Sequence, residues 1–240
     1  MLKTKDVREG QIVMESILKD LDLLCKENDL SYWLMYGTLI GAARHKGFIP
    51  WDDDIDIGML REDYNRLKEI FKKNKIQEKY ELLTKENSKN YPYSFYKVVS
   101  KENFCDYNGT EDNKGIFLDI FPFDLYSEEA EKYLEKLCFN RKNIEELLKK
   151  RKKEKSYFKR RIITLKNGRY IFSDLDERVS FYFYFKEIFP LKKLFFETQE
   201  YYVPNDYDSC LKKQYGNYME LPPIEKRNSH HPTGYFYIKK

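Results

Sequence analysis

Three aspartates at alternate positions, Asp52, Asp54 and Asp56, mark the stretch from Trp51 to Met59. Asp54, Asp56 and Gly58 alternate with Ile55, Ile57 and Met59, the period of a strand with one acidic and one apolar face. On such a strand the three carboxylates are near neighbours and Asp53 points the other way. Two carboxylates about 4 Å apart repel by roughly 4 kcal/mol at an effective dielectric of about 20. Protonation, a cation such as Arg44, or a hard divalent ion would each offset that cost. Oxygen ligands without a nearby cysteine select Mg2+ or Mn2+. A calcium loop of the EF-hand kind does not fit, because counting from Asp52 puts Ile57 where glycine is required and Asp63 where the bidentate glutamate belongs. An exposed acidic turn ahead of a strand stays open as the plain alternative.

Two further segments carry candidate chemistry. Gly37-Thr38 falls between an expected strand, Tyr32 to Tyr36, and a short helix, Thr38 to Arg44, where backbone N–H groups and a hydroxyl can hold a phosphate. An ordinary turn and helix cap is the equal alternative. A glycosyltransferase also places an acid pair after a strand to hold a metal and a sugar nucleotide, but a phosphate-holding turn ahead of the acids counts against it. In GIFLDIFPFD, residues 115 to 124, Asp119 is surrounded by Ile116, Phe117, Leu118, Ile120 and Phe121, on a strand expected to close at Pro122. A carboxylate buried there needs a cation or strong donors nearby. That partner is either the chemistry of a site or a salt bridge to a Lys or Arg elsewhere.

The elements that must position these residues are legible in outline. Val13, Met14, Ile17, Leu18, Leu21 and Leu24 recur at helical spacing within residues 7 to 27. Residues 61 to 74 predict a second helix, 80 to 84 and 92 to 99 strands, 127 to 155 a long charged helix, and 181 to 203 an aromatic stretch punctuated by Pro190 and Pro204. With 240 residues, 41% of them apolar and 17% aromatic, the chain can bury one sizeable core, and a single domain with a variable insertion at about 125 to 185 is expected. No run of eighteen uncharged apolar residues occurs and the N-terminus has no signal-peptide pattern, so a cytoplasmic protein is expected. Cys25, Cys105, Cys138 and Cys210 are too scattered for a zinc ribbon or redox pair. The net charge of +4 conceals a basic run, KKRKKEKSYFKRR at 149 to 161, read as a solvated helix face or a contact with anionic lipid or acidic polymer at the inner face of a membrane. Nucleic acid is not an expected partner.

The stretch YGTLIGAARHKGFIPWDDDIDIGM, residues 36 to 59, resembles the LicD family, which includes phosphocholine transferases and fukutin-related proteins. GIFLDIFPFD is similar too, as is VPNDYDSCLKKQYGNYMELPP with the following Arg227 and His230 or His231. The resemblance implies an α/β (α+β) nucleotidyltransferase-like mixed sheet flanked by helices, here with a helical and aromatic-rich extension. It implies transfer of a phospho-alcohol, most commonly phosphocholine and in relatives a polyol phosphate, from a CDP-linked donor to a sugar hydroxyl of a glycan, free or lipid-linked. An inactive relative that binds a nucleotide or glycan is the alternative that the intact acid pair opposes. On the family pattern Asp54 and Asp56 are metal ligands and Asp119 is the third acid, with Asp124 close by as its rival. Arg44, Lys46 and Arg227 suit donor phosphates, or are ordinary surface charges. Trp51 can stack on a base or choline group, or belong to the core. His45, His230 and His231 are candidate bases or polar surface residues.

Overall fold

The computed structural model describes residues 1–88, 91–106, 114–126, 169–172, 182–229 and 234–239. The expected helix over 127–155, the basic run 149–161, Cys138, His230 and His231 lie outside the described residues, as does most of 125–185. β1 (Leu2–Thr4) leads into α1 (Val7–Glu27), whose start is capped by the Asp6 carboxylate accepting from the Arg8 amide at 2.9 Å. β2 (Tyr32–Leu34) is followed by α2 (Tyr36–Ile40), which runs on into one turn of π-helix, Gly41–His45. Next come β3 (Asp56–Leu60), α3 (Arg61–Phe71), α4 (Ile76–Lys79), β4 (Tyr80–Leu83), β5 (Tyr96–Asp106), β6 (Lys114–Tyr126), β7 (Arg169–Phe172) and β8 (Tyr182–Tyr184). The chain continues through α5 (Phe185–Ile188), the hairpin of β9 (Lys192–Phe196) and β10 (Gln199–Val203), α6 (Tyr207–Tyr215) and β11 (Tyr235–Ile238).

The main sheet has the order β1-β11-β5-β6-β3-β2, with β4 also on β5 and β7 and β8 continuing from β6. It is mixed: β3 and β6 run parallel, while β2 and β5 flank them antiparallel. Alternation along the strands separates two cores. Ile55, Ile57, Met59, Val98, Leu118 and Ile120 join the buried stripe of α1 on one face. Trp33, Phe95, Phe121 and Phe123 form the other core with Phe183, Ile188 and Cys210, which places α5 and α6 on the face that Asp56 shares. Gly58 makes room there, since a Cβ would come within 2.7 Å of the Trp33 ring and 2.8 Å of Phe123.

Several expectations need correction. β3 begins at Asp56, so Asp52 and Asp54 precede the strand instead of riding on it. The turn after β2 is made at Tyr36, at φ 47, and Gly37 already belongs to the first turn of α2. Pro122 does not close β6, which runs on to Tyr126. The amide of Asp119 points to β3, donating to the Ile55 carbonyl at 2.8 Å, so by alternation the Pro122 nitrogen faces the opposite side. On that side the pairing with β5 has ended at Ile120 and the pairing with β7 starts at Phe123, so proline removes no ladder bond.

Candidate active site

Three adjacent strands place Asp56, Asp119 and Lys97 on one rung. Asp56 pairs with Asp119 across the parallel β3–β6 ladder, and Lys97 faces Asp119 across the antiparallel β5–β6 ladder. Side chains on one rung leave the same face at about 5 Å spacing, so all three meet. Each is buried. The Lys97 ammonium lies 2.6 and 2.7 Å from the two Asp119 oxygens. It rests 3.5 Å from the ring centre of Phe117, with Tyr93 at 4.9 Å and Phe95 at 5.4 Å. Asp124, the rival of Asp119, sits five residues farther along β6, where its backbone pairs with Ile171 of β7.

The acids around this rung raise one another. Burial, followed by the charges of Asp54, Asp119 and Asp52, holds the Asp56 carboxyl well above the usual carboxylate range, with Lys97 offsetting part of the effect. Burial also lifts Asp119, to about 7, against the pull of Lys97 and with help from Asp54. Asp54 is only half-buried and therefore forms the open side of the cluster. Tyr215, at the end of α6, is partly exposed, and desolvation, with the charges of Asp56, Asp52 and Asp54 adding to it, raises its hydroxyl.

The loop into the acids is held at many points. Gln11 on α1 donates to the Asp52 carbonyl at 2.9 Å and the Ile49 carbonyl at 3.2 Å. The Thr38 hydroxyl accepts from the Asp56 amide at 2.9 Å, and the Met35 amide donates to the Asp56 carbonyl at 2.9 Å. Thr38 therefore ties α2 to the head of β3 with a buried hydroxyl. Gly37 is required for space, since a Cβ there would stand 2.7 Å from an Asp52 carboxylate oxygen. The turn between β9 and β10 clasps the same loop, with Glu197 accepting from the Phe48 amide at 2.9 Å and donating its own amide to the Lys46 carbonyl at 2.9 Å.

A cationic group lies beyond this loop. Arg44 donates through Nη1 to the carbonyls of Tyr218 (2.5 Å) and Glu220 (3.3 Å), and through Nε to His45 Nε2 at 2.9 Å. Burial, and then the charge of Arg227, lower the affinity of Arg44 for its proton. Burial and then Arg44 push His45 down as well, favouring the neutral imidazole. Arg227 lies over the half-buried Trp51 ring at 5.6 Å and donates to the Pro222 carbonyl at 2.8 Å. Lys46 is exposed. The segment from Tyr215 to Glu220 thus connects the acidic and cationic groups.

Lys97, Gln11 and Tyr215 were not among the residues singled out in the sequence. Lys97 had one signal: alternation sets a lysine between Phe95 and Val99 on a strand otherwise apolar on that side. Gln11 and Tyr215 had none, since each meets the acids only through the fold. Among the described residues no group of three or more His, Cys, Asp or Glu side chains is poised to hold a metal ion, and Lys97 is what already occupies Asp119. The donor chemistry nevertheless fits a hard cation, because the candidate ligands are all carboxylates and their mutual repulsion raises Asp56. Asp54 and Asp56 would hold it, and Asp119 would join by sharing or giving up the ammonium.

Comparison with known proteins places residues 29–152 in the family described as LicD/FKTN/FKRP, nucleotidyltransferase domain. The lipopolysaccharide cholinephosphotransferase LicD of Haemophilus influenzae is 31% identical to this chain over 264 aligned residues, covering 96% of this chain and 97% of that protein. An uncharacterised protein of Rickettsia prowazekii is 48% identical over 54 residues, 22% of this chain and 20% of that protein. Ribitol 5-phosphate transferase FKRP of Homo sapiens is 49% identical over 39 residues, 16% of this chain and 8% of that protein.

Proposed function

The chain belongs to the LicD family of phosphotransferases, and from that premise we propose that it moves a phospho-alcohol, phosphocholine first among the candidates, from a CDP-linked donor to a sugar hydroxyl of a cell-surface glycan. The observation that carries the reading is the buried rung of Asp56 and Asp119, with the Asp54 charge acting on both. Full-length similarity to a lipopolysaccharide cholinephosphotransferase supports phosphocholine as cargo and a glycan as acceptor. The reaction forms a bond from the acceptor oxygen to the donor phosphorus next to the alcohol and breaks that phosphorus's bond to the oxygen of cytidine monophosphate. The acceptor proton goes to a carboxylate, and Asp119 would serve either as that base or as the third metal ligand.

Mg2+ or Mn2+ held by Asp54, Asp56 and Asp119 would neutralise charge on the donor phosphates. Arg44 and Arg227 would serve the nucleotide phosphates as guanidinium partners, and exposed Lys46 as a point charge. Trp51 offers a ring face for the base or the choline. Gly37 keeps the turn ahead of the acids narrow, and Thr38 fixes Asp56 through its amide. The test is to incubate the protein with CDP-choline, CDP-ribitol and other CDP-alcohols, glycan acceptors and Mg2+ or Mn2+, and to follow release of cytidine monophosphate. Release from a CDP-alcohol that depends on acceptor and metal is expected. Transfer from a sugar nucleotide instead would overturn the reading.

A further inference from the structure

Lys97 poses a question that the reaction leaves unanswered. Its ammonium holds both Asp119 oxygens at 2.6 and 2.7 Å, and Phe117, Tyr93 and Phe95 surround it at 3.5, 4.9 and 5.4 Å. A carboxylate engaged through both oxygens by an ammonium is a poor ligand for a second cation, because the new ion must displace a short charged hydrogen bond and approach another positive charge. Yet Lys97 is also the cation that pairs the buried Asp119 beside Asp56. We propose that Lys97 is an internal counter-ion for Asp119 that a divalent cation can replace, so that metal and ammonium compete for this carboxylate. The inference rests on the metal-dependent reading above.

The rings give the exchange a physical basis. An ammonium over an aromatic face keeps part of its stabilisation when its anion is shared, so Lys97 can yield Asp119 without returning to water. A lysine released in this way still needs an anion, and the donor's diphosphate is the one the reaction brings. Metal bound alone is therefore weak, and metal bound with the nucleotide is stronger.

The test uses Mn2+ affinity, measured by calorimetry on the full chain, in the unaltered protein, Lys97→Met and Lys97→Arg. Lys97→Met should bind Mn2+ about tenfold or more tightly than the unaltered protein, the direction set by removing a nearby positive charge, whereas Lys97→Arg should stay near the unaltered value. Lys97→Met should also melt earlier in chelator, and Mn2+ should restore its melting temperature by more than it raises that of the unaltered protein. The double variant Lys97→Met with Asp119→Asn should lose that extra Mn2+ effect. Equal or weaker Mn2+ binding by Lys97→Met, or a Lys97→Met protein that Mn2+ does not restore, overturns the proposal. An unaltered protein that binds Mn2+ neither alone nor with cytidine diphosphate overturns instead the metal-dependent reading beneath it.

Discussion

Asp56 is buried, shares a rung with Asp119, and feels the charges of Asp54, Asp119 and Asp52, which makes it the centre of the proposed site. Replacing Asp54 or Asp56 by Asn keeps the shape and removes a charge, and turnover should fall about a hundredfold or more in a metal-dependent transfer. Steady-state rates with Mg2+ and with chelator check this, and full activity in chelator would rule it out. The same burial predicts a pH effect on stability. A carboxyl raised in the folded state binds its proton more tightly folded than unfolded, so its contribution is complete below the unfolded value of about 3.9 and is lost as pH rises through the folded value. For Asp119 that window ends at about 7, and Asp56 is shifted in the same direction. Without divalent ions the melting temperature should therefore drop between about pH 4 and about pH 7, and Asp56→Asn should flatten the drop. Parallel slopes for the two proteins would defeat the argument.

At the level of elements, the site depends on contacts that bring distant segments to one loop. α1 supplies Gln11, which donates to the carbonyls of Ile49 and Asp52. Gln11→Leu removes the donor shared by these buried carbonyls, while the Ile49 carbonyl keeps the Asp52 amide at 2.9 Å, so the cost is about 1–3 kcal/mol. The expected result is a lower melting temperature together with a turnover that falls further than the folded fraction does. Turnover that tracks the folded fraction would mean that Gln11 only stabilises the fold. Local pattern foretold α1 over its full length and the alternation that buries Ile55, Ile57 and Met59. It misread the strand boundaries around the acids, since where a strand begins depends on where its neighbour pairs. Pro122 illustrates this: a proline ends a strand only if its nitrogen faces a ladder, and the gap between β5 and β7 spares it that demand.

Across the whole molecule, no helix among the described residues is long and apolar enough to cross a membrane. A lipid-linked acceptor would then have to be met at a surface, and the basic run 149–161 carries the charge for an anionic one. Neutralising several of its Lys and Arg residues should weaken sedimentation with anionic liposomes, by about 1 kcal/mol per charge, while activity on a soluble acceptor survives. Unchanged sedimentation would dismiss the membrane contact. The sequence by itself determined the family, through the long stretch from Tyr36 to Met59, and it determined which acids to suspect, because spacing and an apolar setting are local properties of the chain. It could also state that Asp119 needed a cation or strong donors close by. Which cation was decided by the register of β5 on β6, a pairing between segments separated along the chain, which brought Lys97 onto the rung. The same holds for Gln11 on the acid loop and for Arg227 over Trp51: each is a contact across the fold, and no local periodicity encodes the packing that creates it.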